Sequence, residues 1–198
     1  MSTSKYPNLH TFIGLDSLTD NALMLKVKAG DVDRMGLLFE RHHRALFGFI
    51  YHMLGGQAAA SEDLVQNVFY RMLKYRHTYA GAGEFRTWMY HLARNVLADH
   101  IRKNRHAAHH TDAAALADHL GGGHPADEGI EHAQDVTQLH QALARLSPEN
   151  REVLVLSRFQ ELKYGEIARV LNTTEGAVKV RVHRALHELK TTFLRIEN

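Results

Sequence analysis

Cysteine is absent from the 198 residues of this chain, which excludes a disulfide framework and thiolate metal ligands. Proline occurs only three times, and the alternation of apolar and polar residues that is typical of strands is hard to find. No apolar run approaches the roughly 20 residues that span a bilayer. Residues 1–16 contain one lysine and no long apolar core, so we expect no secretory signal. These absences predict an all-α protein with no membrane insertion.

The charged residues are unevenly distributed, although the formal net charge is only +2. Residues 84–106 contain five basic and two acidic residues, whereas residues 107–138 contain six acidic residues and no basic one. The second stretch is also rich in alanine, histidine and glycine, which is typical of a linker. We therefore predict two small domains of four helices each. The predicted divisions are a tail at 1–18, a first domain at 19–106, a flexible acidic linker at 107–135 and a second domain at 136–198.

The stretch from Lys163 to Lys190 predicts two helices joined by a tight turn, because apolar residues recur at helical spacing on both sides of the turn. Asn172 ends the first helix, since asparagine tolerates the left-handed conformation of a helix exit. Thr173 or Thr174 supplies the N-cap oxygen of the second helix. With two further helices predicted between residues 136 and 160, this helix-turn-helix forms the second domain.

The outer face of the second of these helices combines cations with one small apolar residue, Val180. Its methyl groups can meet the methyl group of thymine. The guanidinium groups of Arg181 and Arg184 can reach guanine edges or phosphates, and Lys179 lies on the flank of the same face. This pattern favours binding in the major groove of DNA. The alternatives are a solvated helix face of mixed charge and a helix-turn-helix that serves only in packing.

The first domain is predicted to contain helix N-caps at Asp20, Asp31 and Ser61, each of which precedes apolar residues at helical spacing. Four polar residues crowd the start of the helix that follows Ser61: Glu62, Asp63, Gln66 and Asn67. Acidic residues at that position complement the positive end of the helix dipole. Taken alone, these four residues indicate a solvated surface.

Residues 75–84 are predicted to form a loop, because they combine two glycines with small residues. Tyr75 and Tyr79 of this loop either stack on unpaired bases or fold back to cover the core. The following helix, predicted from Phe85 to Arg105, gathers basic residues on its outer face and at its end. This arrangement favours contact with single-stranded nucleic acid. Complementation of the helix dipole explains part of the same pattern.

Sixteen histidines are present. Six of them fall in or beside the predicted linker: His106, His109, His110, His119, His124 and His132. No tight pair of them lies on a clear helix face at ligand spacing, and cysteine is absent, so we predict neither a metal site nor a cofactor. The alternative is a histidine-rich, metal-dependent hydrolase, which would bind metal stoichiometrically and lose its activity to a chelator.

Three segments, in a fixed order around the linker, resemble a known family: SEDLVQNVFYRML, FRTWMYHLARNVLADHIRK and LARLSPENREVLVLSRFQELKYGEIARVLNTTEGAVKVRVHRAL. The chain resembles a bacterial RNA polymerase sigma factor of the extracytoplasmic-function (ECF) type, within the sigma-70 family. The resemblance covers about residues 19–106 and 136–192. It implies two helical domains, similar to regions 2 and 4 of that family. It also implies that the protein directs core polymerase to promoters and promotes strand opening.

The resemblance implies roles for three sets of residues. One set binds the clamp helices of the largest polymerase subunit: Glu62, Asp63, Leu64, Gln66 and Asn67. A second set captures the melted minus-ten strand, with Tyr79 lining the base pocket, Asn95 reading the base edge and cations holding the backbone: Tyr79, Arg94, Asn95, Arg102 and Lys103. The third set contacts the minus-thirty-five element: Thr174, Lys179, Val180, Arg181 and Arg184.

The resemblance also implies partners and a location. The partners are core RNA polymerase, through its clamp helices and β flap, promoter DNA and, as in many members, an anti-sigma factor. A cytoplasmic location and the absence of any catalysed reaction are implied as well. The rival interpretation is a stand-alone helix-turn-helix transcription regulator. Such a regulator would need an effector domain or dimer symmetry, and it would bind duplex DNA well without polymerase.

Overall fold

The structure, a computed structural model, describes residues 18–81, 83–110 and 130–196, and it describes the side chains of these residues except at 107–110 and 130–136. Eight α-helices occur in these ranges: α1 Asp20–Lys28, α2 Met35–Met53, α3 Ala58–Lys74, α4 Phe85–His110, α5 Ile130–Arg145, α6 Pro148–Leu154, α7 Tyr164–Val170 and α8 Glu175–Leu194. No strand occurs among the residues that the structure describes. The prediction of an all-α fold is therefore confirmed.

The N-terminal half, residues 18–110, is a bundle in which α3 packs between α2 and α4. The three helices meet because each carries an apolar stripe, and the centre of the bundle holds fully buried side chains such as Phe49, Phe85 and Tyr90. Phe49 and Tyr90 meet edge to face, with ring centroids 5.4 Å apart. This core gives α4 a fixed position against the rest of the half.

Three predicted helix starts in this half are wrong. Thr19 rather than Asp20 caps α1, since the Thr19 hydroxyl accepts a hydrogen bond from the Ala22 amide at 3.2 Å. Asp31 precedes a 3-10 turn instead of α2, and its carboxylate accepts from Arg34 at 2.8 Å. Ser61 lies inside α3, where its hydroxyl donates to the Gln57 carbonyl at 2.6 Å. Three alanines, residues 58–60, extend that helix upstream because alanine has the highest helix propensity.

The predicted local signals of the C-terminal half, residues 130–196, are confirmed. Ser147 caps α6 through a hydrogen bond from the Asn150 amide at 3.3 Å, and proline occupies the first turn. Asn172 adopts φ 51° at the exit of α7. Thr174, rather than Thr173, caps α8 by accepting from the Ala177 amide at 3.2 Å. The helix-turn-helix therefore follows the predicted geometry.

The helix α6 continues directly into a π-helical turn, Val155–Phe159. The amide of Gln160 donates to the carbonyl of Val155 at 3.0 Å, and this bond closes the wide turn. The turn was not predicted, because a π-helical turn has no hydrophobic period of its own. It leaves the side chain of Gln160 buried.

The ends of the predicted linker are helical. Helix α4 continues to His110 and α5 begins at Ile130, so both enter the range 107–135. Residues 1–17 and 111–129 lie outside the described residues, as do the side chains of His109, His110 and His132. Within the described residues, no helix is both long and apolar enough to span a membrane.

The two halves are in direct contact. Buried apolar side chains of both halves belong to one contiguous core, which extends from α1 to α8. Helix α4 packs against α7, and α2 packs against the π-helical turn, α5 and α6. The structure is therefore a closed arrangement of the two halves, and α4 is the main N-terminal element that faces the helix-turn-helix.

Candidate nucleic-acid interface

The outer face of α8 is open to solvent. Val180 is 50% exposed, and Lys179, Arg184 and Thr174 are exposed as well, whereas Arg181 is half-buried. Lys179 lies 3.3 Å from Glu175, but both side chains are more than half exposed, so this ion pair adds little stability. The opposite face is buried through Val178, Val182 and Ala185. The five residues predicted for the upstream element therefore line the start of one accessible helix.

The two tyrosines of the loop at residues 75–84 differ in exposure to solvent. Tyr79 is only 3% exposed and packs against Trp88, with ring centroids 5.1 Å apart. Its hydroxyl donates to the side-chain oxygen of Asn21. Burial raises the pKa of the Tyr79 hydroxyl, which therefore remains a neutral donor. Tyr75 is 38% exposed. Tyr79 thus belongs to the core beneath the loop, and Tyr75 belongs to its surface.

Three of the predicted minus-ten residues lie on the accessible side of α4. Asn95, Arg102 and Lys103 are exposed. Arg102 donates to Asp99 at 2.5 Å, and Arg71 of α3 donates to the other oxygen of that carboxylate at 2.7 Å. The hydrogen bond from Arg71 is the main reason that the pKa of Asp99 is lowered. This surface is basic, with one acidic side chain that two arginines share.

Arg94, the third predicted cation contact of α4 and the neighbour of Asn95 in sequence, faces the other half of the molecule. Its Nε donates to Oε1 of Glu152 at 2.7 Å, and its Nη2 donates to Oε2 at 3.3 Å. Its Nη1 donates to the carbonyl of Val170 at 2.9 Å, at the end of the first helix of the helix-turn-helix. Arg94 therefore uses all three nitrogens to contact the C-terminal half.

Two further residues of α4 share the face of Arg94. Arg86, Tyr90 and Arg94 recur every four residues, and we call them the docking stripe. The Tyr90 hydroxyl donates to Oε1 of Gln160 at 2.9 Å, and both side chains are buried. Arg86 donates to the carbonyl of Gln160. Burial raises the pKa of Tyr90 to about 12, which keeps its hydroxyl protonated as a donor.

Comparison with known proteins identifies the family. The sequence matches Sigma-70 region 2 over residues 38–107 and Sigma-70, region 4 over residues 137–189. It is 30% identical to the RNA polymerase sigma factor CarQ of Myxococcus xanthus, over 84% of this chain and 93% of CarQ. It is 32% identical to the ECF RNA polymerase sigma factor BldN of Streptomyces coelicolor, over 88% of this chain and 66% of BldN. The chain belongs to the ECF sigma factors of the sigma-70 family.

The fold of this sigma factor agrees with that membership. A structure of the sigma factor RpoE in complex with the anti-sigma factor NepR from Bartonella quintana superposes with a TM-score of 0.69. The match covers 82% of this chain and 98% of the other, at 22% sequence identity. The predicted family and the two-part helical fold are confirmed. The match to region 2 starts at residue 38 and therefore leaves α1 outside it.

Helix α1 of the sigma factor holds the loop at residues 75–84. Lys28 donates to the carbonyl of Tyr79 at 2.6 Å, and Asn21 accepts from the hydroxyl of the same tyrosine. Gly81 adopts φ +71°, and a Cβ there would approach Leu25 to 2.9 Å. Asn21, Leu25 and Lys28 lie on one face of α1. The sequence reasoning missed this role, although the spacing of the three residues was a visible signal.

A charged cluster fixes α1 to α2 in the sigma factor. Nε2 of His42 lies 2.7 Å from Oδ2 of Asp20, and Arg41 donates to Oδ1 at 2.9 Å. The hydrogen bond with His42, followed by that with Arg41 against an opposing desolvation, lowers the pKa of Asp20. His42 is buried and packs against Phe85, with ring centroids 5.2 Å apart. The cluster therefore connects the first residue of α1 with the first residue of α4 through His42 of α2.

The polar residues predicted for polymerase binding lie in the second and third turns of α3 and not at its start, because the helix begins at Ala58. Glu62, Asp63, Gln66 and Asn67 are exposed, whereas Leu64 is 8% exposed and packs in the core. A groove of about 390 Å³ adjoins them between α2 and α3, and these residues line it: Phe39, His43, Arg44, Phe47, Glu62, Val65 and Gln66. The surface therefore combines an acidic and amide edge with an apolar groove.

Proposed function

We propose that this sigma factor binds core RNA polymerase, directs it to specific promoters and promotes opening of the minus-ten region. The observation that carries the proposal is the order of region 2 and region 4 in one chain, with the recognition face of α8 open to solvent. Polymerase supplies the reaction, so the sigma factor has no chemical step and no cofactor of its own. It acts in the cytoplasm, where polymerase and promoter DNA are found.

The C-terminal half reads the minus-thirty-five element. We assign the accessible start of α8 to the major groove, where Arg184 and Arg181 contact guanine edges or phosphates and Val180 contacts thymine methyl groups. Thr174 stays at the helix N-terminus, where helix ends attract phosphate, and Lys179 supports the same backbone contact. The half-buried position of Arg181 restricts its rotamers, which suits a directed contact.

The N-terminal half captures the melted minus-ten strand. Asn95 lies on the accessible side of α4 and reads the edge of the unpaired base. Arg102 and Lys103 contact the backbone on the same side, and Arg94 joins them once the halves have separated. Tyr79 acts from beneath the loop, because its ring is buried. It shapes the wall of the base pocket instead of stacking from the surface.

The exposed side of α3 at residues 62–67 contacts the clamp helices of the largest polymerase subunit, and the C-terminal half contacts the β flap. The exposed residues Glu62, Asp63, Gln66 and Asn67 supply acceptors and amides for that contact. Leu64 supports them from the core side of the helix. An anti-sigma factor is a further partner class, because the structurally similar RpoE is held by the anti-sigma factor NepR.

Promoter binding requires the two halves to separate. The minus-ten and minus-thirty-five elements are about 25 base pairs apart, which is about 85 Å at 3.4 Å per base pair. In the structure the two halves are in contact, with 2.7 Å between Arg94 and Glu152. We propose a tail at 1–18, a first domain at 19–106, a linker at 107–135 and a second domain at 136–198.

In-vitro transcription with core polymerase on a random promoter library tests this function. We expect enrichment of templates that share two elements with a fixed spacing, and co-purification of the chain with core polymerase. A stand-alone regulator would instead bind duplex DNA well without polymerase and enrich no transcript. A chain with no affinity for core polymerase would contradict the proposal.

A further inference from the structure

We propose that Arg71 and Asp99 are positioning residues that couple the polymerase-binding surface of α3 to the strand-binding surface of α4. Neither residue belongs to the three sets of residues for which the family resemblance implies a role. The coupling deepens the proposed function and rests on it, because it concerns how polymerase binding prepares the minus-ten surface. All of its contacts lie within the N-terminal half.

Four side chains form an unbroken series of hydrogen bonds between the two surfaces, and we call them the α3–α4 relay: Asn67, Arg71, Asp99 and Arg102. Nε of Arg71 donates to the side-chain oxygen of Asn67 at 3.0 Å, and its Nη2 donates to Oδ2 of Asp99 at 2.7 Å. Nη2 of Arg102 donates to Oδ1 of the same carboxylate at 2.5 Å. The relay therefore begins at a residue that we assign to polymerase and ends at one that we assign to the promoter strand.

The two central members of the relay are shielded, whereas its two ends are accessible. Asn67 is exposed, and the side chain of Arg102 is 69% exposed. The side chains of Arg71 and Asp99 are only 25% and 31% exposed. Because a guanidinium is a planar fork, Arg71 holds both of its acceptors in a fixed geometry. The ends can therefore meet two macromolecules while the centre keeps them in register.

Asp99 is an acidic side chain on a surface that must attract phosphate. It is one of only two acidic residues in the range 84–106, which contains five basic ones. Arg71 compensates its charge from the neighbouring helix. In return, Asp99 holds Arg102 before the strand arrives, which lowers the loss of rotamer entropy on binding. Asp99 therefore favours the strand contact in spite of its sign.

Polymerase acts on the relay at Asn67. The clamp contact immobilises the Asn67 carboxamide, so Arg71 and Asp99 lose less rotamer entropy when they subsequently fix Arg102. Such coupling is reciprocal, so strand contact at Arg102 strengthens the polymerase contact at Asn67 by the same factor. Asp63 is exposed on α3 but lies eight residues from Arg71, which is about 12 Å of helix, and is outside the relay.

The substitution Asp99→Asn separates positioning from simple charge. If only net charge mattered, removal of an acidic group from this surface would tighten DNA binding. We expect instead that the open complex of the holoenzyme dissociates about threefold faster under a heparin challenge, because Arg102 is released. The template is a promoter selected from the random library. Asp33→Asn makes the same chemical change at an exposed position outside the relay and should not shorten the lifetime. An unchanged or longer lifetime for Asp99→Asn would overturn the positioning role.

A double-mutant cycle tests the coupling itself. Asn67→Ala removes the polymerase end of the relay, and Arg102→Ala removes the strand end; the readout is again the lifetime of the open complex. We expect the double variant to lose about threefold less than the product of the two single losses. In an Arg71→Lys background the two losses should multiply, because lysine keeps the charge but cannot hold both acceptors in a planar fork. Asp63→Ala with Arg102→Ala is the control cycle, in which the losses should also multiply.

Two results of the cycle would overturn the coupling. One is independent losses from Asn67→Ala and Arg102→Ala, and the other is an equally large coupling in the control cycle with Asp63→Ala. The cycle leaves Asp99 intact, so it decides the coupling even where Asp99→Asn fails to fold. A wild-type holoenzyme that forms no open complex on any template of the library would instead overturn the proposed function.

Discussion

The two helices that we assign to promoter DNA, α4 and α8, differ in what surrounds them. The face of α8 that we assign to the upstream element is exposed, with Val180 at 50%. The docking stripe of α4 is covered, since Tyr90 is fully buried and Arg94 is paired with Glu152. The face of α8 that we assign to duplex DNA is therefore accessible in this structure, whereas Arg94 of the surface that we assign to the melted strand is engaged.

The largest expected effect is on the stability of the protein and concerns the covered docking stripe of α4. Tyr90→Ala should lower the free energy of unfolding by about 3–5 kcal/mol, because it leaves a cavity in the core. Tyr90→Phe should cost about 1–3 kcal/mol, since it leaves the buried Gln160 oxygen without its donor. Urea unfolding measures both values. Val180→Ala on α8 is the control and should change stability by less than about 0.5 kcal/mol; equal losses would show that the two faces do not differ.

The next largest effect concerns the open side. Arg184→Ala and Arg181→Ala should each weaken use of the upstream element by about 1–3 kcal/mol where a bidentate base contact is lost. Binding of the polymerase holoenzyme to duplex promoters with altered minus-thirty-five sequences measures this loss. Asn95→Ala should instead impair strand opening, measured by permanganate reactivity, while upstream binding survives. The division between α8 and α4 is wrong if both kinds of variant fail at the same step.

Most of the fold could be predicted from the sequence, because helix periodicity and caps are local signals. Ser147, Asn172 and Thr174 fulfil their predicted roles through contacts within four residues. Asp20 and Ser61 were wrong as caps, because each is held by something that the local pattern does not contain. The carboxylate of Asp20 forms a hydrogen bond with His42, which lies 22 residues further along the chain. A run of three alanines extends the helix that contains Ser61 towards its N-terminus.

The candidate site was less predictable, because its decisive contacts join distant residues. Arg94 was predicted as a backbone contact, but its partner Glu152 lies 58 residues away, and no spacing rule connects the two. The sequence left two alternatives for Tyr79, stacking on bases or covering the core. The structure shows the buried one, in which the Tyr79 hydroxyl donates to the carboxamide oxygen of Asn21. By contrast, the exposed face of α8 was correctly predicted, because it follows from the 100° periodicity of a single helix.

A smaller effect sharpens the comparison at the loop beside α4. Lys28→Met removes the hydrogen bond to the Tyr79 carbonyl at 2.6 Å but keeps much of the apolar stem. We expect a loss of about 1 kcal/mol in the stability of the open complex, because the loop that frames the base pocket loses one anchor. Lys26→Met, on the same helix and exposed, is the matched control. Lys28→Arg should restore most of the loss, and an equal defect in Lys26→Met would contradict the anchor.

The smallest expected effect is a pH dependence of stability that arises from Asp20, at the start of α1. The pKa of Asp20 is lowered in the folded protein, so its ion pairs stabilise the fold above the unfolded value of 3.8 and lose this contribution as pH falls through the folded pKa. Asp20→Asn should therefore lower stability near neutral pH by no more than about 1 kcal/mol, since Asp20 is partly exposed. The difference from wild type should shrink as pH falls from about 4 through the lowered pKa of folded Asp20, below which both proteins carry a neutral side chain. Asp33→Asn serves as an exposed control. If the difference between Asp20→Asn and wild type stays constant as the pH is lowered, His42 and Arg41 do not hold α1 through the charge of Asp20.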